Sequence, residues 1–410
     1  MHLQEEAQLL NEKLYVSAAV RGERSSVNGD REKIFTFPRY SASYRWTDPK
    51  YIPYTDEIKL RANYGQSGNQ ANYGDRDLAL ASYGLIGGLA GFGVPASVGN
   101  ANIEPERLAE NEYGVDASFL KERMRVEVTY FKRNITNLLV RPVLAASTGI
   151  TQTVVNGGEM ESKGWEVGTT FSVLQRGNLN WLSRINWTQN SARITKFPAG
   201  VLPFTIGAAG GFGNSYGRLR FEPGYPASQI FGNYKNADGT TTAGKAIADA
   251  NPTYLLTFSN EWTWKRVSVS AMVDYRRGGS LSNMTNNIFD EGYNTWDYDD
   301  KAPDGSGPLG AYRYNKWAGG TNTLVYINDG SYTKVREVNL GYELSNHWVS
   351  MIPGAKTARA SVSGRNLFII SAYNGFDPEV NNGGNQVARF VDLAPFPPSR
   401  SVFFSLDIGF

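Results

Sequence analysis

In a series of segments spread along this chain, apolar side chains occupy every second position and charges fall between them. Tyr40, Ala42, Tyr44 and Trp46 alternate with Ser41, Ser43 and Arg45. Ile58, Leu60, Ala62 and Tyr64 alternate with Lys59, Arg61 and Asn63; Met124, Val126, Val128 and Tyr130 alternate with Arg125, Glu127 and Thr129. A helix turns about 100° per residue and would scatter the charges around its axis; only a strand keeps them on one face. The same pattern holds at 14–20, 113–119, 165–173, 181–187, 254–264, 267–275, 338–344, 358–368 and 402–410, and more weakly at 3–10. The reading is thirteen strands and no helix.

Connection length separates two architectures that alternate alike. The connections at 11–13, 121–123, 175–178 and 264–266 are short, and those at 47–57 and 345–357 are of medium length. Between them fall long ones at 21–39, 65–112, 131–164, 188–253, 276–334 and 369–401. A soluble sandwich with one wet face also alternates, but has no reason to put short and long connections at opposite ends of its strands. An outer-membrane barrel does, with short periplasmic turns and long extracellular loops. The expected fold is therefore an all-β, transmembrane antiparallel β-barrel. One parity carries Val, Leu, Ile and Ala with Tyr and Trp near strand ends, as a lipid face with aromatic belts requires; the other carries Arg, Glu, Ser, Asn and Thr, as a polar lumen requires.

Composition removes several functions. With no Cys there is no disulfide scaffold, thiol chemistry or cysteine metal site. His2 and His347 are the only histidines, which excludes a multi-histidine centre. A net charge of +2 with both signs interspersed argues against nucleic acid as a partner. No run of about 18 apolar residues offers a membrane helix, and the first residues, MHLQEEAQLLNEKLY, do not read as a signal peptide. The last strand places Val402, Phe404, Leu406, Ile408 and Phe410 on one parity. A terminal amphipathic strand ending in Phe resembles the signal read by the outer-membrane assembly machinery, so Phe404, Leu406, Ile408 and Phe410 are the expected assembly signal.

Four segments, in order, resemble the SusC/RagA-type TonB-linked outer-membrane transporters. They are LRANYGQSGNQ from Leu60 to Gln70, and Asn156-Gly157-Gly158 followed by Ser162-Lys163-Gly164-Trp165-Glu166. Next come Asp329-Gly330-Ser331-Tyr332 running into Val338-Asn339-Leu340-Gly341-Tyr342, and Ser363-Gly364-Arg365-Asn366-Leu367 before Tyr373-Asn374-Gly375-Phe376-Asp377-Pro378-Glu379-Val380. The resemblance implies that residues 1–410 are the C-terminal portion of a TonB-dependent receptor barrel, thirteen of about twenty-two strands, without the plug and periplasmic N-terminal domains. It implies import of a nutrient of the oligosaccharide or peptide class across the outer membrane of a Gram-negative-type bacterium. The implied partners are outer-membrane lipids, a SusD-like surface lipoprotein, TonB through the N-terminal region, and the barrel assembly machinery. No cofactor and no enzymatic activity are expected. Two alternatives remain open: a truncated barrel subunit with a structural or assembly role in an envelope complex, and a soluble β-rich sugar-binding protein or hydrolase.

Candidate site residues lie in the long connections, where a rigid barrel leaves its specificity. Phe204, Phe212, Tyr216, Tyr225, Phe231 and Tyr234 share one connection and either stack on a ligand or pack the loop against itself. Asp297, Asp299, Asp300 and Asp304 offer oxygens of the kind calcium takes, but also suit a solvated loop tip. The glycine-rich 84–93 and 207–213 lack the Lys-Ser/Thr of a phosphate loop and read as flexible loops. Asp116 and Glu127 fall on the lumen parity, where a glycosidase pair is conceivable. Among so many luminal charges no catalytic residue stands out.

Overall fold

The computed structural model of the 410-residue chain describes every residue except 48–51, 143, 146, 148, 206–211 and 380–389, and every described side chain except those of Tyr83 and Ile86. Thirteen strands pair antiparallel in sequence order, each hydrogen-bonded to its predecessor. They are β1 (His2–Leu9), β2 (Leu14–Glu23), β3 (Phe35–Thr47), β4 (Thr55–Asn69), β5 (Glu106–Phe119), β6 (Met124–Val140) and β7 (Val155–Arg176). The series continues with β8 (Leu179–Lys196), β9 (Pro252–Trp264), β10 (Val267–Gly278), β11 (Tyr332–Glu343), β12 (Thr357–Ser371) and β13 (Ser401–Gly409). β1 and β13 run in the same direction and form the two edges of the sheet. The curved sheet is a partial barrel, without closure.

Register carries the parity of the sequence through the middle of the sheet, with bulges near several strand ends and in β11. Leu60 faces Val115, which faces Val128, which faces Val167, which faces Trp187, which faces Leu256. This apolar face is bare: Leu60 is 51% exposed, Leu340 51% and Phe404 80%. A soluble sandwich would bury these side chains, so the face is made for lipid. Aromatic belts bound it. At the long-loop end Tyr130 packs on Trp165 at 4.9 Å between ring centroids, Trp187 on Tyr254 at 6.3 Å, and Tyr254 on Tyr275 at 5.8 Å. At the short-turn end Trp181 packs on Trp262 at 6.0 Å. Tyr254 and Trp264 mark the two ends of one strand ten residues apart, about 34 Å along it and about 25 Å along the membrane normal at a typical tilt. Above the upper belt the same face turns charged, with Lys132 bound to Glu161 at 2.7 Å.

The opposite face is a lattice of ion pairs. The Arg61 guanidinium donates to Asp116 at 2.8–3.0 Å, to Glu112 at 3.1 Å, and across β5 to Thr129 at 3.1 Å. Glycines make room on this face, Gly164 and Gly114 among them. A Cβ on Gly164 would lie 2.2 Å from the Gln189 carbonyl oxygen and 2.7 Å from the Phe131 ring; one on Gly114 would lie 2.7 Å from the Arg61 guanidinium.

The connections hold what the alternation pattern did not foresee. Between β10 and β11 lie two helices, α1 (Met284–Glu291) and α2 (Leu309–Trp317), and a short helical turn Asn346–Val349 follows β11. This corrects the reading of an all-strand chain. The helix α1 reads MTNNIFDE, a poor helix former by propensity. It forms because the Asn283 side chain caps the Asn286 N–H and because Met284, Thr285, Asn286, Asn287 and Asp290 are buried by their surroundings. The glycine-rich 84–93 is likewise no unstructured loop. It lies within a two-stranded hairpin, Ala81–Ile86 with Leu89–Gly93, turned at Gly87 and Gly88, both at positive φ. Of 207–213 only Phe212 and Gly213 are among the described residues. The segments Arg218–Phe221 and Gln229–Lys235 are strands, but of a separate four-stranded sheet outside the barrel wall.

Candidate functional site

Three long connections, 197–251, 279–331 and 372–400, fold onto one another at the extracellular mouth. Leu219 and Ile230 come from the first, Leu281 and Met284 from the second, and Tyr373, Phe390 and Val391 from the third; together they form one apolar core. Backbone pairing ties them as well, since Val391–Asp392 runs parallel to Ser282–Asn283. Loops of this length bury their own backbone polar groups, and that demands partners.

Buried charges staple the same assembly. Arg313 on α2 donates to both Asp290 oxygens at 2.7 Å and to Asp297 at 2.7 and 2.9 Å. Tyr326 donates to Asp290 at 2.9 Å, and Asn374 to Asp297 at 3.1 Å. Burial by itself would lower the Arg313 pKa, but the two carboxylates outweigh it and hold the guanidinium above its ordinary value. Asp392, 2% exposed, accepts from Thr285 and Tyr373, and burial pushes its carboxyl upward despite those donors.

The assembly meets the barrel wall at a second cluster. Lys334 and Arg336 project from one face of β11, where Arg336 is the extra residue of a bulge opposite Met272 and Val273 of β10. Lys334 donates to Asp377 at 2.6 and 2.7 Å and also to Glu379. Arg336 forks onto both Glu379 oxygens at 2.6 Å and reaches Asp274 of β10 at 2.6 Å, while Tyr332 also donates to Glu379. Asp274 in turn accepts from Thr257 of β9 at 2.8 Å. Beside this cluster a cleft of about 510 Å³ opens between wall and loops, lined among others by Leu219, Phe221, Leu255, Arg276, Glu379 and Phe390.

The expected site residues fall as follows. Phe204 stacks on Phe197 and meets Phe221 edge-on, Tyr216 packs on Trp317, Tyr225 on Phe231, and Lys245 sits over Tyr234 at 3.5 Å. These are loop-packing contacts in several places, not one platform; Phe212 is exposed. Asp297 is committed to Arg313, whereas Asp299 and Asp300 lie exposed and Asp304 accepts from the Ser306 N–H. Among the described residues no group of three or more His, Cys, Asp or Glu is placed to hold a metal ion. Asp116 and Glu127 are register partners on the luminal face, with Asp116 held by Arg61. Phe404, Leu406 and Ile408 lie on the bare face of the edge strand β13, and Phe410 follows its end, 71% exposed. The Lys334–Asp377–Glu379–Arg336 cluster was missed. Its signal was a Lys-x-Arg pair on one strand face and an Asp-x-Glu pair in the following loop, but nothing local says that the two meet.

The profile of the family described as TonB dependent receptor-like, beta-barrel, matches residues 2–367. The chain belongs to that family. It is 24% identical to the TonB-dependent receptor P3 of Formosa agariphila over 446 residues, 95% of this chain and 43% of that protein. It is 22% identical to the TonB-dependent receptor SusC of Bacteroides thetaiotaomicron, covering 98% of this chain and 42% of SusC. Among solved structures, a chain of the RagAB peptide transporter superposes with a TM-score of 0.78 at 19% identity, over 97% of this chain and 46% of that one. The chain thus spans just under half the length of these relatives. It is part of an outer-membrane β-barrel, which removes the alternative of a soluble β-rich protein.

Proposed function

We propose that the protein containing this chain imports a nutrient of the oligosaccharide or peptide class across the outer membrane, driven through TonB and capped by a SusD-like surface lipoprotein. The observation that carries this reading is the two-faced sheet, with thirteen strands in one register holding a bare apolar belt outward and an ion-paired wall inward. Membership of the TonB-dependent receptor family supports the energy source, the likeness to the RagAB peptide transporter supports the peptide class, and the motif resemblance to SusC/RagA-type transporters implies the oligosaccharide class and the lipoprotein. The luminal carboxylates fit a passage rather than chemistry, since Asp116 is neutralised by Arg61 and Glu379 by Lys334 and Arg336. The mouth assembly is where cargo meets the barrel. The test is uptake of labelled oligosaccharides and peptides by cells with and without the full-length protein, and with TonB removed. Uptake that needs both is expected; uptake indifferent to TonB removes the reading.

A further inference from the structure

The third connection is fastened in two different ways. At Tyr373, Phe390 and Val391 it is sunk in the apolar core of the mouth assembly, and the parallel pairing to Ser282–Asn283 locks it there. At Asp377 and Glu379 it meets the barrel wall through ion pairs, and the neighbouring Phe376 is 53% exposed. Glu379 forms part of one wall of the 510 Å³ cleft, and Phe390 lies in that lining too. Apolar burial does not let go without exposing the core. The Lys334–Asp377 pair is buried, with side chains 8% and 6% exposed, and the Arg336–Glu379 pair is half-buried; lifting the segment wets both partners of each pair together, so neither charge is left buried alone.

We propose that Asp377 and Glu379 are a latch: they clamp the mouth assembly to Lys334 and Arg336 on the barrel wall, and their release widens the cleft for passing cargo. The clamp follows from the geometry of this chain; its role in passage rests on the transport reading. Arg336 is the positioning residue of the pair. It is the bulge residue of β11 against β10, and Asp274 holds it from that neighbouring strand so that its fork presents both donors to Glu379.

The experiment uses the full-length protein in outer membranes, spin-labelled through Phe376→Cys on the connection and Asn339→Cys on β11, a pairing helped by the absence of native Cys in this chain. The unmodified latch should give one narrow interlabel distance. Asp377→Asn with Glu379→Gln should give a longer, broader distribution with the folded, heat-modifiable band intact, and Lys334→Arg should keep the narrow one. An unchanged distance in the double variant overturns the latch. So does loss of the folded band in the milder Glu379→Gln alone, because the cluster is then a fold staple. Uptake by the same variants reads the second half. Open labels with unchanged uptake overturn the passage role, whereas a wild-type protein that imports nothing removes the transport reading and leaves the distances to decide the clamp.

Discussion

Glu379 shows how a single side chain is set by its neighbours. Burial would raise its pKa, but hydrogen bonds from Arg336, Lys334 and Tyr332 prevail and hold it at about 2, against an ordinary 4.5. The groups facing it are Tyr332, Lys334 and Arg336 on β11, Asp377 beside it, and Asp274 through Arg336. A depressed carboxylate contributes stability that is full above its ordinary pKa and lost as pH falls toward the lowered one. The clamp should therefore hold unchanged from pH 7 to pH 5 and weaken between about 4.5 and 2. An acid titration of the interlabel distance checks this, and release already at pH 6 contradicts it. Gly164 is another residue whose identity the fold dictates. Gly164→Ala pushes a methyl into the Gln189 carbonyl and the Phe131 ring, so a loss of ~1–3 kcal/mol is expected from the heat or urea midpoint of the folded band. A midpoint equal to wild type would show that β7 and β8 shift freely there.

At the scale of the element, parity is the whole argument. Val126 and Val128 face out from β6 and Glu127 faces in, against Asp116. Val126→Arg should cost ~2–4 kcal/mol near the bilayer midplane, and Glu127→Arg much less, because water already reaches that face. Folding yield in lipid vesicles compares the two; equal tolerance sinks the lipid-face assignment. The edge strand β13 presents Val402, Phe404, Leu406 and Ile408 on its bare face. Deleting Phe410 from the full-length protein should lower outer-membrane insertion, as expected if the assembly machinery reads this strand. Insertion at the wild-type level would reduce Phe410 to an ordinary residue at the end of a strand. Helix α1 makes the contrary point, since its Asn-rich sequence forms a helix only where the mouth assembly buries it.

For the whole molecule the governing fact is an open sheet. Its edges β1 and β13 are parallel to each other, so an antiparallel barrel closes only if an odd number of further strands stands between them. In hydrocarbon each unpaired backbone N–H or C=O costs several kcal/mol. Residues 1–410 expressed alone behind a signal peptide should thus aggregate or be degraded. Supplying the remaining strands should restore a folded band that migrates differently unheated. A folded, heat-modifiable band from the isolated chain would mean that its edges find each other after all.

The sequence by itself determined the thirteen strands, their order, which face meets lipid and which connections are long. These follow from a period of two, which is a local property of the backbone and survives in any context. It also carried the motifs of the family, Gly164 among them, without their reasons. Only the tertiary structure decided what the long connections do. Helix α1, the shared core of Leu219, Met284 and Tyr373, and the meeting of Lys334 and Arg336 with Asp377 and Glu379 depend on contacts between segments some 40 to 150 residues apart. No periodicity records such pairings, because their stability comes from burial that exists only once the three connections have closed on one another.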